Sequence, residues 1–404
     1  MTEVMKGIRI LEVAEQTFVP AASAILAEWG AEVIKVEHVE RGDSMRGLLQ
    51  TGLANLQTRV HVLLEHSNRG KQSIGLDLAT PEGQEIVYQL AATCDVFVTN
   101  KLPKVRTKLK IDVDDIRAHN PNIIYMRGTG QGEHGPDANR GAYDHLAYWC
   151  RPGTAMGATV IGDLPVRQPA PAFGDSIGAM TIAGGVMGAL FHRERTGEAT
   201  TVDVSLLGTG LWSMGAAIAL SLQNGIPWRA APATETTGNP LVGMYVTADD
   251  RWLAFSCLQG AKYWPEICPL LGRPELATDP RFADHESLKA NAVAAFEILW
   301  EVFQSQPLAH WRAALDGFSG QWSVMQDTVE AGADPQAGPN QMIQDYVNSE
   351  GEPFQLVAAP VQFGGEPGTP KRAPEFNEHG DEILQSLGYD WDTIIDLKVR
   401  NIVA

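Results

Sequence analysis

Apolar and polar positions along the first third of the chain follow two different periods. Ile8-Arg9-Ile10-Leu11-Glu12-Val13 alternates and predicts a short strand, and Ala21–Trp29, rich in Ala and Leu, predicts a helix ended by Gly30. Ala31-Glu32-Val33-Ile34-Lys35-Val36-Glu37 predicts a second strand. Strand, helix and strand in such quick succession make a βαβ unit, which implies a parallel sheet. The pattern recurs, with strands at Ser73–Leu78, Val96–Thr99 and Ile123–Arg127 and helices at Pro81–Ala92 and Asp114–Asn120. Thr80-Pro81-Glu82 reads as an N-cap, a proline at the first helical position and an acid in the first turn.

The middle of the chain is less regular. Gly174–Arg193 predicts a glycine- and alanine-rich helix whose small residues allow close packing, and Thr200–Val204 a strand. Ser205–Leu222 reads as one further apolar helix, and Ile226–Gly243, rich in Pro, Gly and Thr, as a linker. A hairpin then joins Met244–Thr247 to Trp252–Phe255, followed by helices near Trp264–Leu271, Ser287–Phe303 and Leu308–Leu315. Short extended runs follow Ala331, and the helix Gly380–Leu387 lies near the end. The expected fold class is therefore α/β. A large domain, 1–224 and 326–404, carries the parallel sheet, and a smaller α+β domain, 225–325, is inserted within it.

With 404 residues, 44% apolar and 20% charged, the chain can bury an ordinary core. Its longest apolar run, around Met180–Leu190, is broken by Gly184, Gly185 and Gly188 and is too short to cross a bilayer. No charged segment followed by an apolar one opens the chain, so a cytoplasmic location is expected. Cys94, Cys150, Cys257 and Cys268 are widely spaced, which favours buried free thiols over a disulfide framework or a zinc site. A net charge of −18 argues against nucleic-acid or anionic-membrane partners. It also means that a polyanionic ligand would need positive charge concentrated locally.

Such a concentration exists. Lys101, Lys104, Arg106, Lys108 and Lys110 directly follow the strand Val96–Thr99. Ligands of open parallel sheets bind beyond the carboxyl ends of the strands, where cations can meet phosphates, although a solvated face explains the cluster equally well. Asn68-Arg69-Gly70-Lys71 is a second, weaker basic turn. Asp175 follows Gly174 at the start of a helix, and two readings stay open for it: a capping residue, or a desolvated carboxylate able to attack a thioester. After the first strand stands Glu15-Gln16-Thr17-Phe18-Val19-Pro20 in place of G-x-G-x-x-G, which weakens a dinucleotide-binding reading.

Five stretches, in order along almost the whole chain, together resemble the class III CoA-transferases. That group includes formyl-CoA and carnitine-CoA transferases, with α-methylacyl-CoA racemases as relatives. The stretches are Gly30–Glu37 with Arg41-Gly42-Asp43, Asn68–Ile74, Ala172-Phe173-Gly174-Asp175, Leu270–Leu276 with Asp279-Pro280-Arg281-Phe282, and Glu378–Leu384. The resemblance implies a Rossmann-like large domain built from both chain ends, an intertwined homodimer, and acyl-CoA and carboxylic acids as substrates with no metal or prosthetic group. It makes Asp175 the nucleophile, attacking an acyl-CoA to form a mixed anhydride and then an aspartyl-CoA thioester. It places CoA against Thr17, Phe18, His38, Leu76, Asp77, Leu78, Ala79, Asn100, Lys101, Lys108, Gly141, Ala142, Tyr143 and Asp144. Where relatives carry an aromatic and then a basic residue after the asparagine, this chain has Lys101-Leu102-Pro103-Lys104, which spreads phosphate contacts over Lys104, Arg106 and Lys108. The racemases place a histidine where Tyr143 stands, so transfer is favoured over 2-methylacyl-CoA epimerisation, with His145 two residues on as the alternative base. An inactive CoA-binding homologue is the third reading. Thr17 replaces a glutamine of formyl-CoA transferases, and Ser256–Ala261 replaces their glycine-rich loop, which implies a differently shaped acyl pocket.

Overall fold

Residues 2–50, 55–56, 58–236 and 238–404 are described by a computed structural model. In chain order they form β1 (Arg9–Val13), α1 (Phe18–Glu28), β2 (Glu32–His38), α2 (Val62–Asn68), β3 (Gln72–Leu76), α3 (Pro81–Ala92), β4 (Val96–Thr99), α4 (Pro103–Leu109), α5 (Val113–Arg117) and β5 (Ile124–Thr129). A π-helical turn, His145–Cys150, precedes α6 (Thr154–Ala158), α7 (Phe173–Thr196), β6 (Thr201–Ser205), α8 (Leu206–Ser213) and α9 (Gly215–Asn224). The smaller part holds β7 (Val242–Val246), β8 (Trp252–Ser256), α10 (Gly260–Leu270), α11 (His285–Ala290), α12 (Ala292–Gln304), α13 (Leu308–Ala314), β9 (Trp322–Val324) and α14 (Thr328–Gly332). The chain ends with β10 (Ile343–Val347), β11 (Pro353–Val357), α15 (Gly380–Ser386) and α16 (Trp391–Val399).

Six strands form one sheet in the order β3-β2-β1-β4-β5-β6, every pairing parallel. The protein is thus α/β, with two smaller antiparallel sheets, β7-β8-β9 and β10-β11. The period-two pattern decides what each face of the large sheet covers. Ile10, Val33, Val98 and Met126 point to a core shared with α1 and α7, while Leu11, Ile34, Ile74 and Phe97 meet α3, α15 and α16 on the other side. The strand order reverses between β1 and β4. At such a reversal the connections diverge and leave a crevice beyond the strand ends.

The chain divides into two compact units. One comprises Met1–Thr159, Leu164–Trp228 and Pro335–Ala404, and the other Val160–Asp163 with Arg229–Asp334. The second unit runs past β9 to Asp334, and Arg251 grips Glu330 of α14 at 2.9 and 2.7 Å. Its core gathers aromatic side chains, with Tyr245, Phe255, Phe296 and Phe303 in mutual contact.

Several elements differ from the sequence expectation for identifiable reasons. The stretch from Ser205 to Leu222 is two helices, α8 and α9, bent by 68° at a break before Gly215. Asn291, with φ −112° and ψ 21°, likewise splits 287–303 into two. Helix α7 extends three residues beyond the expected end and, at 24 residues, is long enough to span a bilayer. One side of it, however, buries Gly178, Ala179, Ile182, Ala183 and Val186 against the sheet and α1. Of the four cysteines, Cys94, Cys257 and Cys268 are buried, but Cys150 is exposed at the end of the π-helical turn.

Candidate active site

The C-terminal edge of the large sheet is built first by charges hidden from water. Glu12 on β1 and Lys35 on β2 point to the same face, and both are fully buried. Lys35 Nζ lies 2.7 Å from Glu12 Oε1, 2.8 Å from Asp43 Oδ2 and 2.9 Å from the carbonyl oxygen of Ala14. Lys71 donates to the other Glu12 oxygen at 2.8 Å and to Asn68 Oδ1 at 3.1 Å. Burial works against each charge. The two lysines nevertheless hold Glu12 below the ordinary carboxylate range, and Lys35 does the same for Asp43. Lys71, driven down by burial with Lys35 adding to the push, falls to about 7 despite Glu12. The turn Asn68–Lys71 is therefore internal bracing: Arg69 is also buried, 2.7 Å from Glu28.

This network fixes the loop that leads into α1. Asp43 Oδ1 accepts from Gln16 N at 3.0 Å and from Met45 N at 2.8 Å, and Gln16 Nε2 donates to Ser44 Oγ at 2.6 Å. Gln16 is thereby held at φ +71°, a left-handed conformation uncommon for a residue with a side chain. Phe18, two residues on, is wedged between β5 and α7. A Cβ on Gly128 would come within 3.2 Å of its ring, and one on Gly178 within 2.3 Å. Only glycine fits at Gly178, and the ring sets how closely α1 and α7 approach.

Asp175 stands one helical turn before Gly178, as the third residue of α7. It does not cap the helix. That position belongs to Ala172, itself left-handed at φ +55°, and its side chain makes no capping bond. The first turn of α7 rests instead on the π-helical turn. Phe173 packs edge-on against Tyr148 and Trp149, and a Cβ on Gly174 would lie 2.4 Å from Tyr148 Cγ. Asp144 supplies the missing cap from outside: its Oδ2 accepts from Gly174 N at 3.2 Å and from Gln168 Nε2 at 2.6 Å. Among the described residues, the Asp175 carboxyl has neither a hydrogen-bond donor nor a cation. Burial, and secondarily the Asp144 carboxylate, push its pKa well above the usual value. A helix N-terminus would pull it down, so desolvation and like charge outweigh the dipole here.

The remaining candidates fall on this same edge, with different standing. Asn100 stitches β4 to β1, donating to Glu15 O at 2.6 Å and accepting from Glu15 N at 3.2 Å. Lys101 is paired with Glu15. His38 is exposed at the end of β2, and Thr17 is buried at the start of α1. Asp77, Leu78 and Ala79 form the turn into α3, where Asp77 Oδ1 accepts from Ala79 N at 2.9 Å, whereas the Leu76 side chain belongs to the core. Gly141 and Tyr143 are exposed, and Ala142 packs on Gly130 just beyond β5. Of the basic cluster, Lys104, Arg106 and Lys108 lie on α4, a helix not expected from the sequence, with Lys110 at its C-cap. Lys104 and Lys108 lie four apart on its exposed side. Arg106 points inward, held by Glu133 at 3.0 and 2.7 Å and by Asp112 at 3.1 Å, so its guanidinium is spent on the fold and is not free for a phosphate. His145 brings Nε2 to 4.0 Å from Cys150 Sγ.

Residues 5–380 match the model of CoA-transferase family III. The chain belongs to that family. CoA-transferases of this family take CoA thioesters as substrates, and this chain is an enzyme of that kind. It is 28% identical over 403 residues to the (R)-2-hydroxy-4-methylpentanoate CoA-transferase of Clostridioides difficile, covering 99% of both chains. It is 26% identical over 400 residues to the cinnamoyl-CoA:phenyllactate CoA-transferase of Clostridium sporogenes, covering 98% of this chain and 96% of that one. The crystal structure of a CAIB/BAIF family protein from Brucella suis superposes with a TM-score of 0.81 at 26% identity, covering 96% of this chain and all of the other.

Because Asp144 raises the proton affinity of Asp175, replacing it by Asn removes a like charge. In Asp144→Asn, the Asp175 carboxyl is expected to ionise at lower pH, measured by the pH dependence of its side-chain carboxyl carbon shift in NMR. An unmoved midpoint would show that Asp144 does not set the ionisation of Asp175.

Proposed function

We propose that this CoA-transferase moves coenzyme A from an acyl-CoA donor to a carboxylic acid acceptor through covalent intermediates on Asp175. One observation carries the reading: the Asp175 carboxyl, its pKa raised by burial and by Asp144, has no pairing cation among the described residues and stands one helical turn from Gly178, where the Phe18 ring packs. A carboxylate whose proton affinity is raised by desolvation is, once ionised, the stronger nucleophile toward a thioester carbonyl. Its oxygen attacks the acyl carbon and CoA leaves as thiolate, giving a mixed anhydride. The thiolate attacks the Asp175 carbonyl and releases the donor acid, leaving an aspartyl-CoA thioester. The acceptor carboxylate then attacks that carbonyl and expels CoA thiolate, giving a second mixed anhydride, and the thiolate attacks the acceptor's acyl carbon of this anhydride to form the new acyl-CoA and free the Asp175 carboxylate. Every step exchanges one activated acyl derivative for another, so no external energy source enters.

The CoA seat proposed here runs along the strand ends. Thr17, Phe18, His38, the 76–79 turn, Asn100 and Lys101 border the nucleotide, and the exposed face of Lys104 and Lys108 suits its phosphates. The 141–144 segment, with Tyr143 exposed, borders the acyl end.

A second copy of the chain is the proposed partner. Helix α9 buries none of its residues, and Trp212, Phe191, Leu220 and Leu222 are exposed although apolar. Apolar surface on this scale marks an association site. Sedimentation equilibrium should give twice the chain mass; a monomer at micromolar concentration would refute the assembly.

For the chemistry, Asp175→Asn is expected to lower the transfer rate by about 10³-fold or more. The same change should raise the thermal midpoint. The raised Asp175 pKa means that ionisation costs stability as pH climbs above the unfolded value, and Asn removes that cost. Transfer retained in Asp175→Asn would overturn the reading.

A further inference from the structure

Two carboxyls at the start of α7 have no counter-charge. Neither Asp144, which is buried, nor Asp175 has a pairing cation among the described residues, and each repels the charge of the other. Of the elements packed on α7, α1 carries Glu28, which Arg69 takes, and β5 and β6 carry Arg127 and Asp203, which take each other. Helix α8 carries no charge. The π-helical turn adds Tyr148, whose hydroxyl donates to Ser213 Oγ at 3.0 Å, and His145, whose Nε2 lies 4.0 Å from Cys150 Sγ and whose Nδ1 has no partner. Two neighbouring carboxyls in such a setting hold one proton between them. Hydrogen-bond donors decide which of them is ionised, because a charged acceptor makes the stronger bond. Asp144 Oδ2 accepts from Gly174 N at 3.2 Å and from Gln168 Nε2 at 2.6 Å, whereas the Asp175 carboxyl accepts from none among the described residues. From Leu164 to Pro171 every residue except Gln168 is exposed. Its second amide hydrogen goes to the Ala170 carbonyl at 2.9 Å, and because both partners only accept, the amide cannot be turned around.

We propose that Gln168 is a positioning residue for the transfer reaction: it holds the negative charge of the pair on Asp144, so that Asp175 rests with the proton and sheds it to solvent before attacking. Its bearing on catalysis rests on Asp175 being the transfer nucleophile.

The test follows the side-chain carboxyl carbons of Asp144 and Asp175 against pH by NMR, in the full chain with isotope-labelled aspartate, assigned with Asp144→Asn and Asp175→Asn. In the wild type Asp144 should ionise in the lower step and Asp175 in the upper. The reverse order, or both carbons moving together in each step, overturns the proposal and needs no variant of Gln168. Gln168→Leu keeps the side chain neutral and close in size but removes the donor. It should raise the Asp144 midpoint by about one pH unit or more; an unmoved midpoint contradicts the role. The Trp149 indole N–H, which donates to the Val166 carbonyl at 3.0 Å, shows in the same sample whether the loop stays in place. A rise accompanied by displacement of that contact assigns the shift to loss of the loop and overturns the direct role of the amide. None of these readings needs turnover. Transfer that survives Asp175→Asn therefore removes the nucleophile and leaves the order of titration standing. Transfer lost in Asp175→Asn, with an unmoved Asp144 midpoint in Gln168→Leu, removes only Gln168.

Discussion

One buried ammonium ties together the parts of the chain that build the site. Lys35 holds β1 through Glu12, the following loop through the Ala14 carbonyl, and the loop after β2 through Asp43. A buried ion pair is seldom worth more to stability than an apolar pair of the same size, but losing one member strands a charge away from water. Its value here is conformational. Asp43, held by Lys35, keeps Gln16 left-handed, and this sets where α1 begins and where Phe18 projects. Phe18 in turn sits against Gly178 and fixes the turn of α7 that carries Asp175.

The carboxylates near this edge contrast sharply. Burial works to raise all of them. Glu12 and Asp43 are pulled below their ordinary range by lysines, and Glu37 by Arg46 at 2.7 Å. Asp175 is surrounded by no cation, with a second carboxylate nearby, and is pushed the other way. A fold that pairs Glu12, Asp43 and Glu37 with cations but leaves Asp175 unpaired bears a local cost, as functional sites commonly do. Asp144 explains how α7 begins there without a cap of its own. It satisfies the Gly174 amide from across the loop, leaving the Asp175 side chain free.

Much of the large sheet was legible because its strands carry a strict period. Val96–Thr99 and Pro81–Ala92 have the expected bounds, the latter because Thr80 Oγ1 accepts from Gly83 N and Pro81 opens the helix. Asp175 was legible as a candidate but ambiguous, since an acid near a helix start is usually a cap; only the position of Ala172 separates the two. Helix α4 was hidden by its own charges, which read as a cationic patch. The inward turn of Arg106 depends on Glu133, far along the chain. Lys35 did leave a signal, because the alternation Val33, Lys35, Glu37 points a lysine to a covered face. Gln168 left none. Its partners come from an irregular segment and a π-helical turn, which no periodicity announces.

The claim that matters most is covalent participation of Asp175, and trapping the intermediate tests it directly. Enzyme incubated with acyl-CoA and quenched with hydroxylamine, then digested and analysed by mass spectrometry, should carry a hydroxamate on Asp175. Enzyme treated without acyl-CoA should not. Turnover with no modification at Asp175, or with the adduct on another residue, would contradict the account.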